Sequence, residues 1–420
     1  MRTPAVSLRS EILVVAALLS FCPLHLCSQA WVRTAAPVAN WRCVASSADG
    51  SGLVGGNYLG GYDVYTSTNS GASWSGRGLN ALCASAGISA DGTKLAVVGG
   101  MDEGYGRFMV STNSGTDWGP PQSTPEGAWS CVAVSANGAS LVAGGQTQVS
   151  GIPGPLVVST DWGITPFQSD PRSNYWSSVA SSADGTMLVV AAGGRSGATG
   201  SIYTSTNSGA TWTATRAPQT AWISIASSAD GRKLAAAVWE DPSLGWPPGL
   251  IYVSTNSGAT WVLTGAPTTN WASVACSADG TRLAAAVWSG PIYTSADGGF
   301  TWTVTDAPIT NWMSVASSAD GGRLVGVVYS GGIYASQSPV MPRLSIFASM
   351  GGVILSWTIP STGFVLQEKA DLSSTSWGNV TTFPTPDYTS LQYRVTLPGS
   401  SKARFYRLVQ ASGQASPSHM

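Results

Sequence analysis

Histidine is nearly missing from this chain. Its two copies are His25, inside a hydrophobic leader, and His419, beside the C-terminus. The long middle has none. That excludes Ser-His-Asp and Cys-His catalysis and every histidine-based metal site, so neither a metal nor a cofactor is expected. Charge is scarce too. Only 10% of residues are charged and the net charge is −1, against about 25% charged residues in an ordinary soluble protein. Nucleic acid demands a clear basic excess and is excluded as a partner. Of six cysteines, Cys22 and Cys27 lie in the leader. The other four, Cys43, Cys83, Cys131 and Cys276, are too sparse for a disulfide scaffold and have no CxxC spacing. Beyond the leader, no apolar run approaches the roughly 20 residues of a membrane helix.

The leader itself reads as a secretory signal. Arg2 and Arg9 precede a short apolar core, and Ser28-Gln29-Ala30 offers small residues for cleavage after Ala30. The expected location is outside the cytoplasm: extracellular, periplasmic or at the cell surface.

What is abundant is a repeat. The pattern WxSVASSADGxxLAAA recurs seven times, with its turn at Asp49, Asp91, Asn137, Asp184, Asp230, Asp279 and Asp320, at spacings of 41–49 residues. Period-2 patterning and recurrent Gly, Ser and Pro exclude helices. Each unit holds four short strands, a to d, joined by an Ala-Asp-Gly hairpin turn, a variable Gly-rich loop and a second turn. Four-stranded units at this period predict an all-β fold, a seven-bladed β-propeller. The Ser- and Ala-rich strand a fits the crowded axis. The Trp opening it (Trp41, Trp129, Trp176, Trp222, Trp271, Trp312) is read as packing between blades.

The second turn repeats as well. It reads YTSTNSGASW at 65–74, MVSTNSGTDW at 109–118, YTSTNSGATW at 203–212, YVSTNSGATW at 252–261 and YTSADGGFTW at 293–302, with a degraded VVSTDWGITPF at 157–167. This resembles the Asp-box, or BNR repeat, of the sialidase superfamily. The resemblance implies that Asn69, Asn113, Asn207, Asn256 and Asp297 fold onto their own turn's backbone. It implies left-handed Gly71, Gly115, Gly209, Gly258 and Gly299. Trp74, Trp118, Trp212, Trp261 and Trp302 then cover the hairpin. All are structural pins. The whole repeat resembles single seven-bladed Asp-box propellers such as the photosystem II assembly factors, and that resemblance implies a binding scaffold.

The two faces differ. Lys94, Lys233, Arg282 and Arg323 follow the Asp-Gly turns and form a basic arc, read as a solvated rim. The b–c loops on the other face carry Tyr58, Tyr105, Trp239, Trp246 and Trp288, candidates to stack on a sugar ring or hold a peptide. The pairs Asp102-Glu103 and Glu240-Asp241 are weak catalytic candidates, since glycoside hydrolysis needs two carboxyls within roughly 5–9.5 Å and these loops lie three blades apart. A glycoside hydrolase or lyase is therefore the alternative to a non-catalytic binding or assembly scaffold for a glycan or protein. A surface adhesion protein is the third reading. A monomer is expected.

Two further expectations concern the ends. Residues 31–41, WVRTAAPVANW, match WTATRAPQTAW at 212–222, WVLTGAPTTNW at 261–271 and WTVTDAPITNW at 302–312. Residues 31–37 are thus expected to supply the outer strand that blade 7 lacks. Residues 341–410 change character, and their six short strands predict a small β-sandwich. That block resembles the immunoglobulin- or fibronectin-III-like modules of secreted bacterial proteins. Residues 411–420 read as a disordered tail.

Overall fold

The computed structural model describes residues 30–410 apart from 59–62, 80–81, 100–106, 123–126, 147–152, 166, 195–198, 240–248, 338–341, 343, 350–351, 359–363, 371–375, 389–390, 399 and 401–403. The described residues contain strands and turns and no helix. Seven antiparallel sheets stand around an axis, one per repeat. Their inner strands are Trp41–Ser46, Ser85–Ile88, Ala128–Val134, Trp176–Ser181, Trp222–Ser227, Trp271–Cys276 and Trp312–Ser317.

The ring is closed by backbone hydrogen bonds. The Ala48 N–H donates to Ala90 O (3.0 Å), and Ala90 to Ala136 O (2.9 Å). Asn137 donates to Ala183 O, Ala183 to Ala229 O, Ala229 to Ala278 O and Ala278 to Ala319 O. The Ala319 N–H then returns to Ala48 O at 2.8 Å. Ala48, Ala90 and Ala319 of this circle are buried together.

Seven apolar cores fill the spaces between consecutive blades. Six are built around a strand-a Trp that is essentially free of solvent contact and lies against the preceding blade. Trp222, for instance, packs with Val189, Ala191 and Ile202 of blade 4. The Pro-x-x-x-Trp spacing serves this residue. The indole N–H of Trp41, Trp222 and Trp312 donates to the carbonyl of Pro37, Pro218 and Pro308.

Blade 7 takes its outermost strand from Trp31–Arg33, with Trp31 opposite Ser336 and Arg33 opposite Tyr334. The segment repeats the bonds of its later counterparts. Thr34 donates its N–H to Ile333 O, as Thr215, Thr264 and Thr305 do to Ile202, Ile251 and Ile292. Trp31 lies 5.8 Å from Trp312, as Trp302 lies 6.2 Å from Trp271.

Blade 2 departs from the repeat. Among the described residues it has three strands and, where a fourth would lie, one bridge between Val110 and Gly119. After the ring come a four-stranded sheet holding Ser345–Ser349 and Gly352–Thr358 and a three-stranded sheet holding Phe364–Lys369. Their facing residues Leu355, Trp357, Leu366, Val395 and Leu397 share one core.

Candidate functional site

Both kinds of turn lie on one face. Six bonds join them within blades, such as Ser208 N–H to Thr186 O and Ser257 N–H to Arg232 O. Each a–b turn has the same wiring. Ser228 Oγ donates to Asp230 at 2.6 Å and accepts the Lys233 N–H, while Asp230 accepts the Arg232 N–H. These serines are wholly buried and satisfied within their own turn, so they are structural, not nucleophiles.

The c–d turns are equally closed. In blade 4, Ser205 Oγ donates to Asn207 and accepts the Gly209 N–H, and Asn207 accepts the Thr211 N–H. The 157–167 copy looks degraded in sequence, yet Ser159, Asp161, Gly163 and Thr165 make the same bonds. The difference is that Trp162 occupies the position of the usual Ser. Glycine is not the sole left-handed residue either. Ser208 (φ 54°) precedes Gly209 (φ 86°), and serine accepts that uncommon conformation because its N–H is fixed to Thr186 O.

Asp161 and Asp297 are the two carboxylates at these box positions, and Asp297 is the exposed one. Hydrogen bonds from the Thr301 hydroxyl, the Thr301 N–H and the Ser295 hydroxyl hold it down to about 2, from an ordinary 3.8. A depressed carboxylate stabilises the fold above its unfolded value, and that stabilisation is lost as pH falls through the folded value. Melting temperature should therefore drop between pH 3.8 and about 2. Asn207 makes the corresponding bonds without a charge. The Asp297→Asn variant should show a shallower acid limb in a melting-temperature profile against pH, with little change at pH 7.

The basic arc is not a free rim. The Lys94 ammonium donates to Gly138 O in the next blade and the Lys233 ammonium to Asp279 O. Arg323 donates to Asp49 O and Ser70 Oγ across the closure of the ring. Arg282 lies along Gly321, where an added Cβ would meet its Cδ at 2.7 Å. These cations clasp adjacent blades because the long side chain spans from one a–b turn to the next.

The C-terminal sheets reach the axial mouth on this face. Leu391, at the tip of a hairpin in the C-terminal sheets, lines a cavity of about 150 Å³ with Ala48, Ala90, Ala136, Ala183 and Ala229. Tyr388 and Tyr393 pack beside it. Burial, then the carboxylates of Asp91 and Asp49, push the Tyr388 phenol up.

The opposite face carries the aromatic residues. The residue after strand b is Trp239 in blade 5, Trp288 in blade 6, Tyr329 in blade 7 and Tyr58 in blade 1. Each is placed identically, its N–H donating to the carbonyl just before the strand-a Trp: Ala221, Asn270, Asn311 and Asn40. Blade 4 has Gly193 there, bonded to Tyr175 O. Four consecutive blades thus form an arc. Trp239 is buried and serves as its base. Trp288 and Tyr329 are half-buried, with ring centres 6.0 Å apart and planes at 50°. Tyr58 is exposed, with the Arg42 guanidinium 5.5 Å over its ring. Ser289 Oγ donates to Asn311 and Ser330 Oγ to Asn40, so hydroxyl–amide pairs alternate with the rings.

Of the five aromatic candidates from the sequence, Tyr58, Trp239 and Trp288 belong to this arc. Tyr105 and Trp246 lie outside the described residues, as do Asp102, Glu103, Glu240 and Asp241. Sequence reasoning missed Tyr329. Its short loop drew no attention, though alignment on strand b places it beside Trp288. Among the described residues, no group of three His, Cys, Asp or Glu side chains is placed to hold a metal ion. No helix there is long and apolar enough to cross a membrane.

No family model matches the chain. No curated protein matches it either. Solved structures do. YCF48 from Cyanidioschyzon merolae is 16% identical, over 74% of this chain and 99% of that one, with a TM-score of 0.54. A structure of YCF48 bound to D1 peptide gives 15% identity, 74% and 97% coverage and 0.52. The Niastella koreensis GH74 enzyme is 13% identical over 92% of this chain and 73% of its own, at 0.56. At these identities the likeness establishes the architecture, and the chain is a β-propeller.

Proposed function

We propose that this protein is a non-catalytic binding module that holds a glycan chain along the aromatic arc of its loop face. The observation that carries this is the run of aromatic residues at one repeat position in blades 5, 6, 7 and 1. A fold constraint would place them in all seven blades, yet blade 4 has Gly193. Trp and Tyr rings stack on the apolar faces of sugar rings, and the Ser289–Asn311 and Ser330–Asn40 pairs offer hydroxyl and amide groups for sugar hydroxyls. The charge-poor composition suits a neutral ligand. At the opposite mouth Leu391 lines the axial cavity, so the chain's own C-terminal sheets already occupy part of that face.

The c–d turns are read as Asp-boxes acting as pins, the C-terminal sheets as an immunoglobulin- or fibronectin-III-like module, and the whole as a secreted monomer. A peptide ligand is the second reading, supported by the similar structure of YCF48 bound to D1 peptide. Calorimetry against neutral polysaccharides separates the two. Trp288→Ala and Tyr329→Ala should each weaken polysaccharide binding about tenfold or more, matching a lost stacking contact of roughly 1–3 kcal/mol by analogy with base stacking. Both rings also rest on the core between blades 7 and 1, so binding is compared at a temperature well below the melting point of each variant. Binding that ignores both substitutions sinks the arc. Released oligosaccharide that vanishes in Asp102→Ala or Glu240→Ala would replace the binding module with a glycoside hydrolase.

A further inference from the structure

Six of the seven inter-blade cores contain a strand-a Trp. The core between blades 1 and 2 does not. On the repeat, the position of Trp41, Trp129, Trp176, Trp222, Trp271 and Trp312 is taken in blade 2 by Cys83. Its core consists of Cys43, Val54, Val64, Cys83, Leu95 and Val97. Cys43 and Cys83 are both buried, and their sulfurs are 3.1 Å apart, closer than two non-bonded sulfurs ordinarily rest.

Gly56 makes this approach possible. It pairs with Cys43 in the sheet. A Cβ at Gly56 would lie 2.1 Å from the Cys83 sulfur and 3.1 Å from the Cys43 sulfur. Cys83 is also held by its N–H to Asn57 O. Blade 3 supplies an internal control. Cys131 stands at the repeat position of Cys43, opposite Gly144, but there the added Cβ meets Trp176 of the next blade instead of a second thiol. Only where the Trp is replaced by cysteine do two sulfurs meet.

We propose that Cys43 and Cys83 are a disulfide-forming pair that covalently joins blades 1 and 2 when the protein matures in an oxidising compartment. The oxidant is a disulfide, either a small molecule or a carrier protein. One cysteine thiolate attacks it, forming a mixed disulfide and releasing one thiol. The second thiolate attacks the protein sulfur of that mixed disulfide, forming the Cys43–Cys83 bond and releasing the second thiol. Two cysteine protons are given up, and the oxidant is reduced to two thiols. The exchange belongs to the opening or folding chain. In the closed ring both thiols are buried, and the Cys43 contact and burial raise the Cys83 thiol well above its ordinary value. A cross-link over a separation of 40 residues constrains the unfolded chain substantially.

The test is a thiol map of the full chain refolded in a mixture of oxidised and reduced glutathione. After denaturation and alkylation, the expected result is a peptide carrying Cys43 linked to Cys83, with Cys131 and Cys276 alkylated. Reductant should lower the melting temperature by about 5 °C or more, in Cys131→Ala as in the parent. The Cys43→Ala/Cys83→Ala double variant should melt at one temperature with or without reductant. If that variant does not fold, the thiol map of the parent decides alone. Alkylation of both Cys43 and Cys83 under these conditions overturns the proposal.

Discussion

Removal of residues 31–37 is expected to lower the melting temperature by about 10 °C or more, or to leave a protein that aggregates on expression. The truncation deletes the three residues paired with Ser336, Ala335 and Tyr334, and with them the outer cover of strand Ile333–Gln337. It removes the Trp31 ring from Trp312. It takes away buried Ala36 and the carbonyl of Pro37 that accepts the Trp41 indole N–H. It also frees Trp74, whose indole N–H donates to Thr34 Oγ1. Loss of a fully packed aromatic costs about 3–5 kcal/mol; half-buried Trp31 supplies part of that, and the lost strand pairing and hydrogen bonds add the rest. At about 2–4 °C per kcal/mol for a chain of a few hundred residues, the shift exceeds 10 °C. The bare strand adds an edge on which a second chain can pair. Calorimetry and light scattering read both effects. A truncated protein that melts within a degree of the parent would refute this role for the segment.

That segment was legible because repetition turns one sequence into seven aligned ones. Trp31 aligns with Trp212, Trp261 and Trp302 from the sequence alone, and so does each Asp-Gly turn. The same alignment held two signals that were not read. One was Tyr329, in line with Trp288. The other was Cys83, standing where six blades carry Trp. Both are visible only when the exception to a repeat is weighed as heavily as the rule. The basic arc misled for a different reason. A repeat position fixes where a Lys or Arg backbone lies, but its side chain spans several ångströms, far enough to clasp the next blade's carbonyl. The degraded copy at 157–167 misled because the turn depends on a Ser hydroxyl, an Asx oxygen and a left-handed Gly, while its other positions vary freely. The approach of Leu391 to the axial mouth had no sequence signal at all. It joins parts of the chain that no repeat relates.

Trp222 and Trp271 offer a matched comparison of what the inter-blade indole contributes. Each is fully buried. Each meets a tyrosine edge-on at 5.6 Å, Tyr252 at 75° and Tyr293 at 73°. Each lies beside a second Trp, at 6.3 Å for Trp261 and 6.2 Å for Trp302. Their apolar neighbours differ slightly, Val189 and Ala191 beside Trp222 against Ala235 and Ala237 beside Trp271, while their indole nitrogens differ outright. The Trp222 indole N–H donates to Pro218 O at 3.2 Å, whereas that of Trp271 is buried without a partner. Replacement by Ala should cost each site about 3–5 kcal/mol, since both leave a similar cavity. Replacement by Phe should separate them. Trp222→Phe loses packing and strips the Pro218 carbonyl of its donor. Trp271→Phe loses the same packing but relieves an unsatisfied N–H. An unmade buried hydrogen bond costs about 1–3 kcal/mol, so Trp222→Phe should be the more destabilising by at least about 1 kcal/mol. Denaturant titrations with equal slopes give the difference directly. Equal losses at the two sites, or a larger one at Trp271, would mean that the Pro-x-x-x-Trp spacing is kept for the shape of the turn and not for its hydrogen bond.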